Sequence, residues 1–506
     1  MTKRKIGVLL SYVLMIFEVL STLLLTPFIL RTLGQAEYGI YRLTATITTY
    51  LLLLDLGVGN AIVRYIAKYR VSKDRDNERR FLGVATIFYG AIAIISLLVG
   101  AILIYIFPVA FSKGLSPDEI TLGQHLMAVI IINAAVTLGS AAYTNTIIAY
   151  EEFGVSRGAS IIQIILRLVL SFVCLKAGMR SMGLVYVQLF TTILCRGFFI
   201  LYVNYKIKLR PSFSKLESSF IREIVLYSSL IFLQMIATHL NTSVGQILIG
   251  IVVASSAVYL GIYSVGVELA QYYQSIGSAF TSVLMPGLVK LVESGASSKA
   301  LCDEMIRIGR IIFMVLACIW VTFLVCGRDF VTLWARAENL QAWSVAIILM
   351  SVYMFTLTES VGNQLLWAMN AHKEQSIAKL SIVVINIAFS VLLIKCSPIL
   401  GAAVGTFTAL LLGDIVVMNV IFKKKIGISL RYYYSGLLKG IVPALAVAGL
   451  LGFIVNGLLD LSWVHFLIKA LTVVFTYSVC MLLFGMNKYE KGLVLAPIKR
   501  ILRKNK

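Results

Sequence analysis

The segment IFYGAIAIISLLVGAILIYIF (residues 87–107) decides the structural class of this chain. It runs for 21 residues without a charged side chain, which is long enough for an α-helix to cross the hydrocarbon core of a bilayer. A membrane-barrel strand would alternate apolar and polar residues, whereas this run is continuously apolar. Because every backbone N–H in lipid needs an internal partner, we predict that the segment is a transmembrane helix.

The composition of the whole chain agrees with this segment. Of its 506 residues, 59% are hydrophobic and 13% charged, whereas a soluble domain carries about 25% charged residues. We therefore predict an all-α polytopic membrane protein with about fourteen transmembrane helices. The N-terminal apolar run continues to Leu30 without a small-x-small cleavage site, so it is interpreted as an uncleaved first span. The predicted spans are 6–30, 40–66, 82–107, 122–149, 158–177, 182–203, 223–250, 256–288, 304–326, 342–369, 376–395, 399–422, 436–457 and 463–485.

The basic side chains are concentrated in alternate connections between these spans. They occupy residues 3–5, 68–80, 206–215, 423–431 and 488–506, whereas the other connections hold few. The positive-inside rule places the basic side in the cytoplasm, so both termini are predicted to be cytoplasmic. The formal net charge of +22 is thereby explained by topology and by contact with anionic membrane lipids, not by nucleic acid as a partner.

The spans form two similar halves. AEYGIY (36–41) returns as AVYLGIY (257–263), and NAAVTLGSAAYTNTIIAY (133–150) aligns with VYMFTLTESVGNQLLWAM (352–369). Each half has six spans and starts on the same side, which predicts parallel repeats related by an axis along the membrane normal. The expected domains are an N-lobe of spans 1–6 (1–215), a C-lobe of spans 7–12 (216–430), and two extra C-terminal helices with a basic tail (431–506).

Polar stripes interrupt several spans. A charge at mid-helix costs about 2.5–3.5 kcal/mol, so it usually faces an aqueous cavity or a partner. Spans 1, 2, 7, 8 and 10 carry such stripes, and the stripe on span 10 consists of Thr356, Glu359 and Asn363. The stripes on spans 1, 2, 7 and 8 favour one shared central cavity over purely structural hydrogen bonds. For Arg196 and Asp414, which are 218 residues apart, pairing inside each lobe is the favoured interpretation. Candidate substrate-binding residues from the stripes are Asn241, Gln271 and Asn363, and candidate ion-coupling residues are Glu18, His239 and Glu268.

Motifs for enzymatic chemistry are not found in the sequence. The ATP-binding pattern GxxxxGK[ST] does not occur, and the four histidines have no metal-ligand spacing. We therefore expect neither a cofactor nor a metal site, and a transporter rather than an enzyme.

The stretch TPFILRTLGQAEYGIYRLTATITTYLLLLDLGVGNAIVRYIAKYR (26–70) resembles the start of polysaccharide-export flippases. These move O-antigen-type lipid-linked oligosaccharides and belong to the multidrug/oligosaccharidyl-lipid/polysaccharide exporter superfamily. The resemblance implies a bacterial cytoplasmic (inner) membrane protein that flips undecaprenyl-diphosphate-linked glycan by alternating access. It also implies a glycan polymerase and glycosyltransferases as partners. Related lipid II flippases line their cavity with first-span arginines, for which Arg31, Arg42 and Arg64 are the nearest candidates here. Glu18 departs from that pattern and indicates a different head group or an ion-coupling role.

Two other functions compete with the flippase. A cation-coupled drug antiporter of the same superfamily would need a mainly acidic cavity, which the three arginines disfavour. A membrane glycan polymerase or ligase would need a sizeable outer loop for catalysis. The longest outer connections, about 108–121 and 327–341, are short.

Overall fold

The computed structural model describes residues 3–213, 218–284, 291–292, 294–369 and 372–493, and this part of the chain is helical throughout, with no strand. Up to residue 252 the chain contains α1 (Lys3–Leu52), α2 (Val58–Val71), α3 (Arg75–Phe111), α4 (Pro117–Gly139), α5 (Ala141–Ala149), α6 (Phe153–Lys176), α7 (Arg180–Leu201) and α8 (Ser218–Val252). After residue 252 follow α9 (Ala257–Leu284), α10 (Ser298–Ala335), α11 (Gln341–Thr358), α12 (Ser360–Ala368), α13 (His372–Ile394), α14 (Pro398–Leu410), α15 (Met418–Lys425), α16 (Leu430–Leu438), α17 (Ile441–Leu458) and α18 (Trp463–Cys480).

Eleven helical stretches of the described residues are long and apolar enough to cross a membrane. The first, Leu10–Val71, contains both predicted spans 1 and 2, which are joined by a kink at Gly34 with φ 76°. This left-handed backbone is one that glycine adopts without steric cost. The predicted all-α membrane class is confirmed, whereas the count of fourteen spans stays a prediction.

Two spans are broken at repeat-related positions. Ser140 separates α4 from α5, and Glu359 separates α11 from α12. The two breaks are 219 residues apart, the same offset that aligns the two polar segments in the sequence. The internal repeat of the sequence therefore includes the positions at which these helices are interrupted.

Side-chain caps fix several helix starts at the connections. Ser116 accepts a hydrogen bond from the backbone N–H of Glu119, whose carboxylate accepts one from the Ser116 backbone N–H in return. Asp74 and Ser462 cap α3 and α18 in the simpler way, each accepting a backbone N–H three residues later. Such caps satisfy amides that have no partner within the helix.

The described structure divides into two compact units, residues 1–261 and 262–506. The core of unit 1 is built from fully buried side chains of α2, α3, α5 and the segment after α7: Ile62, Ile66, Leu82, Tyr89, Ile147, Val203 and Leu209. The Tyr89 hydroxyl donates to the Asp55 carboxylate at the break between α1 and α2. The expected lobe limits at 215 and 430 stay a prediction.

Unit 2 is organised around the long helix α10, against which α17 and α18 pack. Lys469 of α18 pairs with Asp329 of α10 at 2.6 Å, and the Tyr477 hydroxyl donates to the Met314 carbonyl at 3.0 Å. Past α18, Glu490 pairs with Arg310 at 2.6 Å. The two helices that lie outside the sequence repeat are therefore attached to α10 along its length.

Candidate functional site

The polar faces of predicted spans 2 and 7 meet inside unit 1. Thr46 Oγ1 of α1 donates to Gln246 Oε1 of α8 at 2.7 Å, and the Tyr50 hydroxyl donates to the His239 carbonyl oxygen at 3.4 Å. Tyr50 follows Thr46 by one helical turn, so both contacts lie along one side of α1. This face, defined by Thr46, Tyr50, His239 and Gln246, is called here the polar seam.

Two candidate substrate-binding residues lie on the helices of the polar seam. Arg42 precedes Thr46 by one turn and is half-buried, and Asn241 is 5% exposed on α8. Because residues four apart share a helix face, Arg42 extends the seam along α1. The structure thus brings together the helices that carry Arg42, His239 and Asn241.

The other two candidate arginines lie on separate helical segments of unit 1. Arg31 precedes the Gly34 kink, and Arg64 lies on α2, beyond the left-handed Leu56 and Gly57. Both arginine side chains are exposed. Glu18 is also exposed, on the part of α1 before the kink, and its backbone carbonyl accepts a hydrogen bond from Thr22 at 2.8 Å. An exposed charge in a span requires either water or a polar head group beside it.

An ion pair outside the predicted site fixes the kink in α1. The Glu37 carboxylate lies 2.5 Å from Arg180 Nη2 and accepts hydrogen bonds from the Ser181 amide and hydroxyl at 3.0 and 2.6 Å. Arg180 begins α7, so these contacts tie the start of α7 to the turn after Gly34. From the sequence, Arg180 was placed in the connection between two spans, and this ion pair was not predicted. The charge of Glu37 within the repeated motif AEYGIY was the one signal that pointed to a partner.

Unit 2 contains the remaining candidates on α9 and α12. Glu268 is 4% exposed and accepts a hydrogen bond from the Tyr272 hydroxyl at 2.9 Å, whereas Gln271 is exposed on the same helix. Tyr272 lies 222 residues after Tyr50, its repeat counterpart. Asn363 is half-buried on α12, one turn after Glu359.

A buried polar cluster at the α11–α12 break was only partly visible in the sequence. Asn419 Nδ2 donates to Glu359 Oε1 at 2.9 Å and to the Tyr434 hydroxyl at 2.6 Å, and Tyr434 also donates to Glu359. Glu359 is 1% exposed, and both bonds reach Oε1, so they satisfy one of the two oxygens of its buried carboxylate. The stripe on span 10 indicated Glu359, but Asn419 and Tyr434 lie on elements with no matching pattern.

Arg196 makes its contact inside unit 1. Its Nη1 donates to Thr144 Oγ1 at 2.8 Å, and its guanidinium lies 5.8 Å from the centre of the Phe199 ring. This is the lobe-internal arrangement that the sequence favoured. Asp414 lies in unit 2, within the π-helical segment Leu411–Val417.

A second polar cluster lies at the start of α3. It joins this helix to the segment that follows α5 and to the segment that follows α7. Arg75 Nη1 contacts Glu78 Oε2 at 3.0 Å, and its Nη2 donates to the Ile207 carbonyl at 3.0 Å. Burial and the neighbouring Glu78 carboxylate raise the pKa of Tyr150 to about 12, so its hydroxyl stays a donor to Glu78. The cluster fixes the start of the long linker onto α3.

A family model described as polysaccharide biosynthesis protein matches residues 4–292, which is more than half of the chain. No curated protein matches the sequence significantly. Among solved structures, the chain is similar to the lipid II flippase MurJ in an inward closed conformation, with a TM-score of 0.70, 14% identity, and coverage of 94% of this chain and 97% of MurJ.

Multidrug transporters share the same fold at lower similarity. An inward-facing MATE family transporter of the MOP superfamily gives a TM-score of 0.59 at 13% identity, covering 80% of this chain and 99% of the transporter. The MATE multidrug transporter DinF-BH gives 0.59 at 15% identity, covering 84% of this chain and 95% of the transporter. At these identities the likeness shows the fold. The resemblance found in the sequence is thereby confirmed, and the chain belongs to the polysaccharide biosynthesis protein family, with the fold of the MOP-superfamily transporters.

Proposed function

We propose that the protein is a flippase that moves undecaprenyl-diphosphate-linked oligosaccharide across the bacterial cytoplasmic membrane by alternating access. The product would serve assembly of a surface polysaccharide such as lipopolysaccharide O-antigen or capsule. Membership of a polysaccharide biosynthesis family supports the glycan, and the structural likeness to a lipid II flippase supports a lipid-diphosphate carrier.

The observation that carries the proposal is Arg42 beside the polar seam. A diphosphate in a low-dielectric space needs cationic partners, and the planar guanidinium of arginine donates hydrogen bonds in pairs to phosphate oxygens. Thr46, Gln246 and Asn241 on the adjoining turns supply neutral polar groups of the kind that bind sugar hydroxyls. A mainly cationic drug would be repelled by Arg42, which favours the flippase over the drug antiporter.

The proposal includes orientation, energy source and partners. Both termini face the cytoplasm, and glycosyltransferases would supply the substrate there, while a glycan polymerase would consume the product outside. Glu18, His239 and Glu268 are the proposed ion-coupling groups. The substrate-binding set consists of Arg31, Arg42, Arg64, Asn241, Gln271 and Asn363.

The experiment uses the purified full-length protein in liposomes with an undecaprenyl-diphosphate-linked oligosaccharide in the inner leaflet. Appearance of the glycan outside is followed with an impermeant glycosidase. We expect transport of this lipid above that of protein-free liposomes and no transport of a fluorescent cationic drug. Drug efflux without glycan movement would instead assign the antiporter function.

A further inference from the structure

A groove opens between α6 and α7 on unit 1. It has a volume of about 450 Å³, and its walls are almost entirely apolar. Its lining includes Gly158, Ile162 and Leu166 from α6 and Leu194, Phe198 and Tyr202 from the other side. None of the candidate substrate-binding or ion-coupling residues lines it.

Glycines near the start of α6 leave the groove open at that end, whereas α6 and α7 pack against each other at the opposite end. A Cβ atom on Gly154 or Gly158 would meet nothing within 4 Å. Near the turn between the helices, by contrast, a Cβ on Gly183 would lie 2.8 Å from Met179 Cβ and 3.0 Å from Cys174 Cβ. The helices therefore pack tightly at the Gly178 turn and separate toward the start of α6.

The groove spans one leaflet. From Gly154 to Leu166 an α-helix rises about 18 Å, more than half of a hydrocarbon core of about 30 Å. Its open end lies at the start of α6 and the end of α7, which the basic-loop distribution places on the cytoplasmic side. A single lipid chain running along the membrane normal would fit this length.

The open end is also the charged end. Tyr202 lines the groove and is followed by the exposed cations Lys206, Lys208 and Arg210. Phe198 and Tyr202 lie with their ring centres 6.0 Å apart at this mouth. Inside the groove, the lining residue Gln163 donates a hydrogen bond from Nε2 to Thr192 Oγ1 at 3.4 Å, across the two helices.

We propose that this groove holds the cytoplasmic half of the isoprenoid tail of a diphosphate-linked carrier lipid, with the basic residues after Tyr202 beside its diphosphate. The inference rests on the proposed flippase function and adds a tail site to the head-group site. The carrier is favoured over bulk phospholipid because a substrate tail must stay with the protein while its head crosses.

The test uses the full-length protein in phosphatidylethanolamine–phosphatidylglycerol vesicles. A polyprenyl diphosphate with a diazirine in its tail is photolysed, and labelled peptides are identified by mass spectrometry. We expect label in residues 153–166 and 191–202, and loss of that label when unlabelled undecaprenyl diphosphate competes. A phosphatidylglycerol probe with a diazirine in its acyl chain should label these peptides weakly and without such competition.

A matched pair of glycine variants separates filling of the groove from a general change in the helix. Gly158→Leu places a side chain in the groove, whereas Gly90→Leu adds the same side chain on α3, where a Cβ also meets nothing within 4 Å. Gly158→Leu should reduce groove labelling by about tenfold, the effect of losing burial of roughly two methylenes. Gly90→Leu should leave it unchanged.

Equal labelling by both probes, or undiminished labelling of Gly158→Leu, would overturn the tail site. If the protein flips glycan but its groove is never labelled, the tail site is wrong and the proposed function stands. Competed labelling of the groove in a protein that flips no glycan would instead retain the site and reject the function.

Discussion

Gly39 and Gly261 touch backbone to backbone, so that a Cβ atom on Gly39 would lie 2.7 Å from the Gly261 amide nitrogen. The two glycines occupy the two copies of the repeated motif, 222 residues apart. A Cβ on Gly39 would also lie 2.2 Å from the Ala257 carbonyl oxygen, and one on Gly261 would lie 2.2 Å from that of Gln35. The motif is therefore a contact between α1 and the first turn of α9 that only glycine permits.

Replacing either glycine of this contact by alanine should destabilise the protein. The methyl group would meet backbone atoms, which cannot rotate away, and overpacking of this kind costs about 1–3 kcal/mol. Thermal unfolding in detergent, followed by size-exclusion chromatography, should show a lower midpoint for Gly39→Ala and Gly261→Ala. Gly90→Ala is the control because its Cβ has free space, and equal midpoints for all three variants would contradict the prediction.

Changing Arg42 to alanine should reduce glycan flipping by about 10- to 100-fold, the range expected for a lost hydrogen bond to a charged group. Arg31→Ala and Arg64→Ala should also lower flipping, and lysine should restore at least one of the three positions. Transport is measured in liposomes at equal protein content. The control is Arg80→Ala, an exposed arginine near the start of α3. Full transport by all three alanine variants would remove the arginines from the site.

Glu18→Gln should abolish the response of transport to an imposed pH, sodium or voltage gradient, because the amide keeps the size of the side chain but cannot ionise. One charge moved through the membrane potential is worth about 2.3 kcal/mol per 100 mV, enough to drive coupling. Glu268→Gln tests the second carboxylate, and Tyr272→Phe is its control, since it removes only the hydrogen bond. If both Gln variants respond as the wild type does, coupling lies elsewhere.

Arg310→Ala should be strongly destabilising. Arg310 pairs with Glu490 at 2.6 Å and donates to the carbonyls of Gly436 and Gly485 at 2.7 and 2.8 Å, and both ionic side chains are buried. Removing one partner of a buried ion pair costs about 3–5 kcal/mol. The neighbouring Arg307→Ala is the control, because its pair with Glu304 is exposed on the arginine side, and such pairs contribute about 0–1 kcal/mol. Similar unfolding midpoints for the two variants would refute the distinction.

The predicted orientation is tested by single cysteines in a background without native cysteines. Ser72 and Ser116 are both exposed and lie in connections on opposite sides of α3. An impermeant thiol reagent added outside should label Ser116→Cys and spare Ser72→Cys until the membrane is permeabilised. The reverse pattern would invert the topology. Ser214, a further cytoplasmic position by the same reasoning, lies outside the described residues.

The runs of apolar residues in the sequence predicted where the helices lie better than which helices contact each other. The gap predicted between spans 158–177 and 182–203 coincides with the turn between α6 and α7, where Lys176, Gly178 and Arg180 interrupt an apolar run. The Gly34 kink lies in the predicted connection between spans 1 and 2. The breaks at Ser140 and Glu359 were not predicted, because spans 122–149 and 342–369 were each expected to be continuous.

Contacts between distant positions were the main omission. The Arg310–Glu490 pair joins residues 180 apart, which matches no repeat offset and no helical spacing. The stripes on spans 2 and 7 indicated which faces of these helices are polar, but not that the two faces contact each other in the polar seam. Which side chains actually bond, such as Thr46 with Gln246, depends on how helices pack and not on the period of either stripe.

The attachment of α17 and α18 to α10 has a consequence for synthesis of the protein. While the chain emerges from the ribosome, Asp329 and Arg310 are synthesised well before Lys469 and Glu490. A chain that stops before its last hairpin leaves these charges without their ionic partners, which lipid does not tolerate well. Insertion of α17 and α18, with the segment that follows them, thus supplies the ionic partners that α10 lacks while the earlier part of the chain is being synthesised.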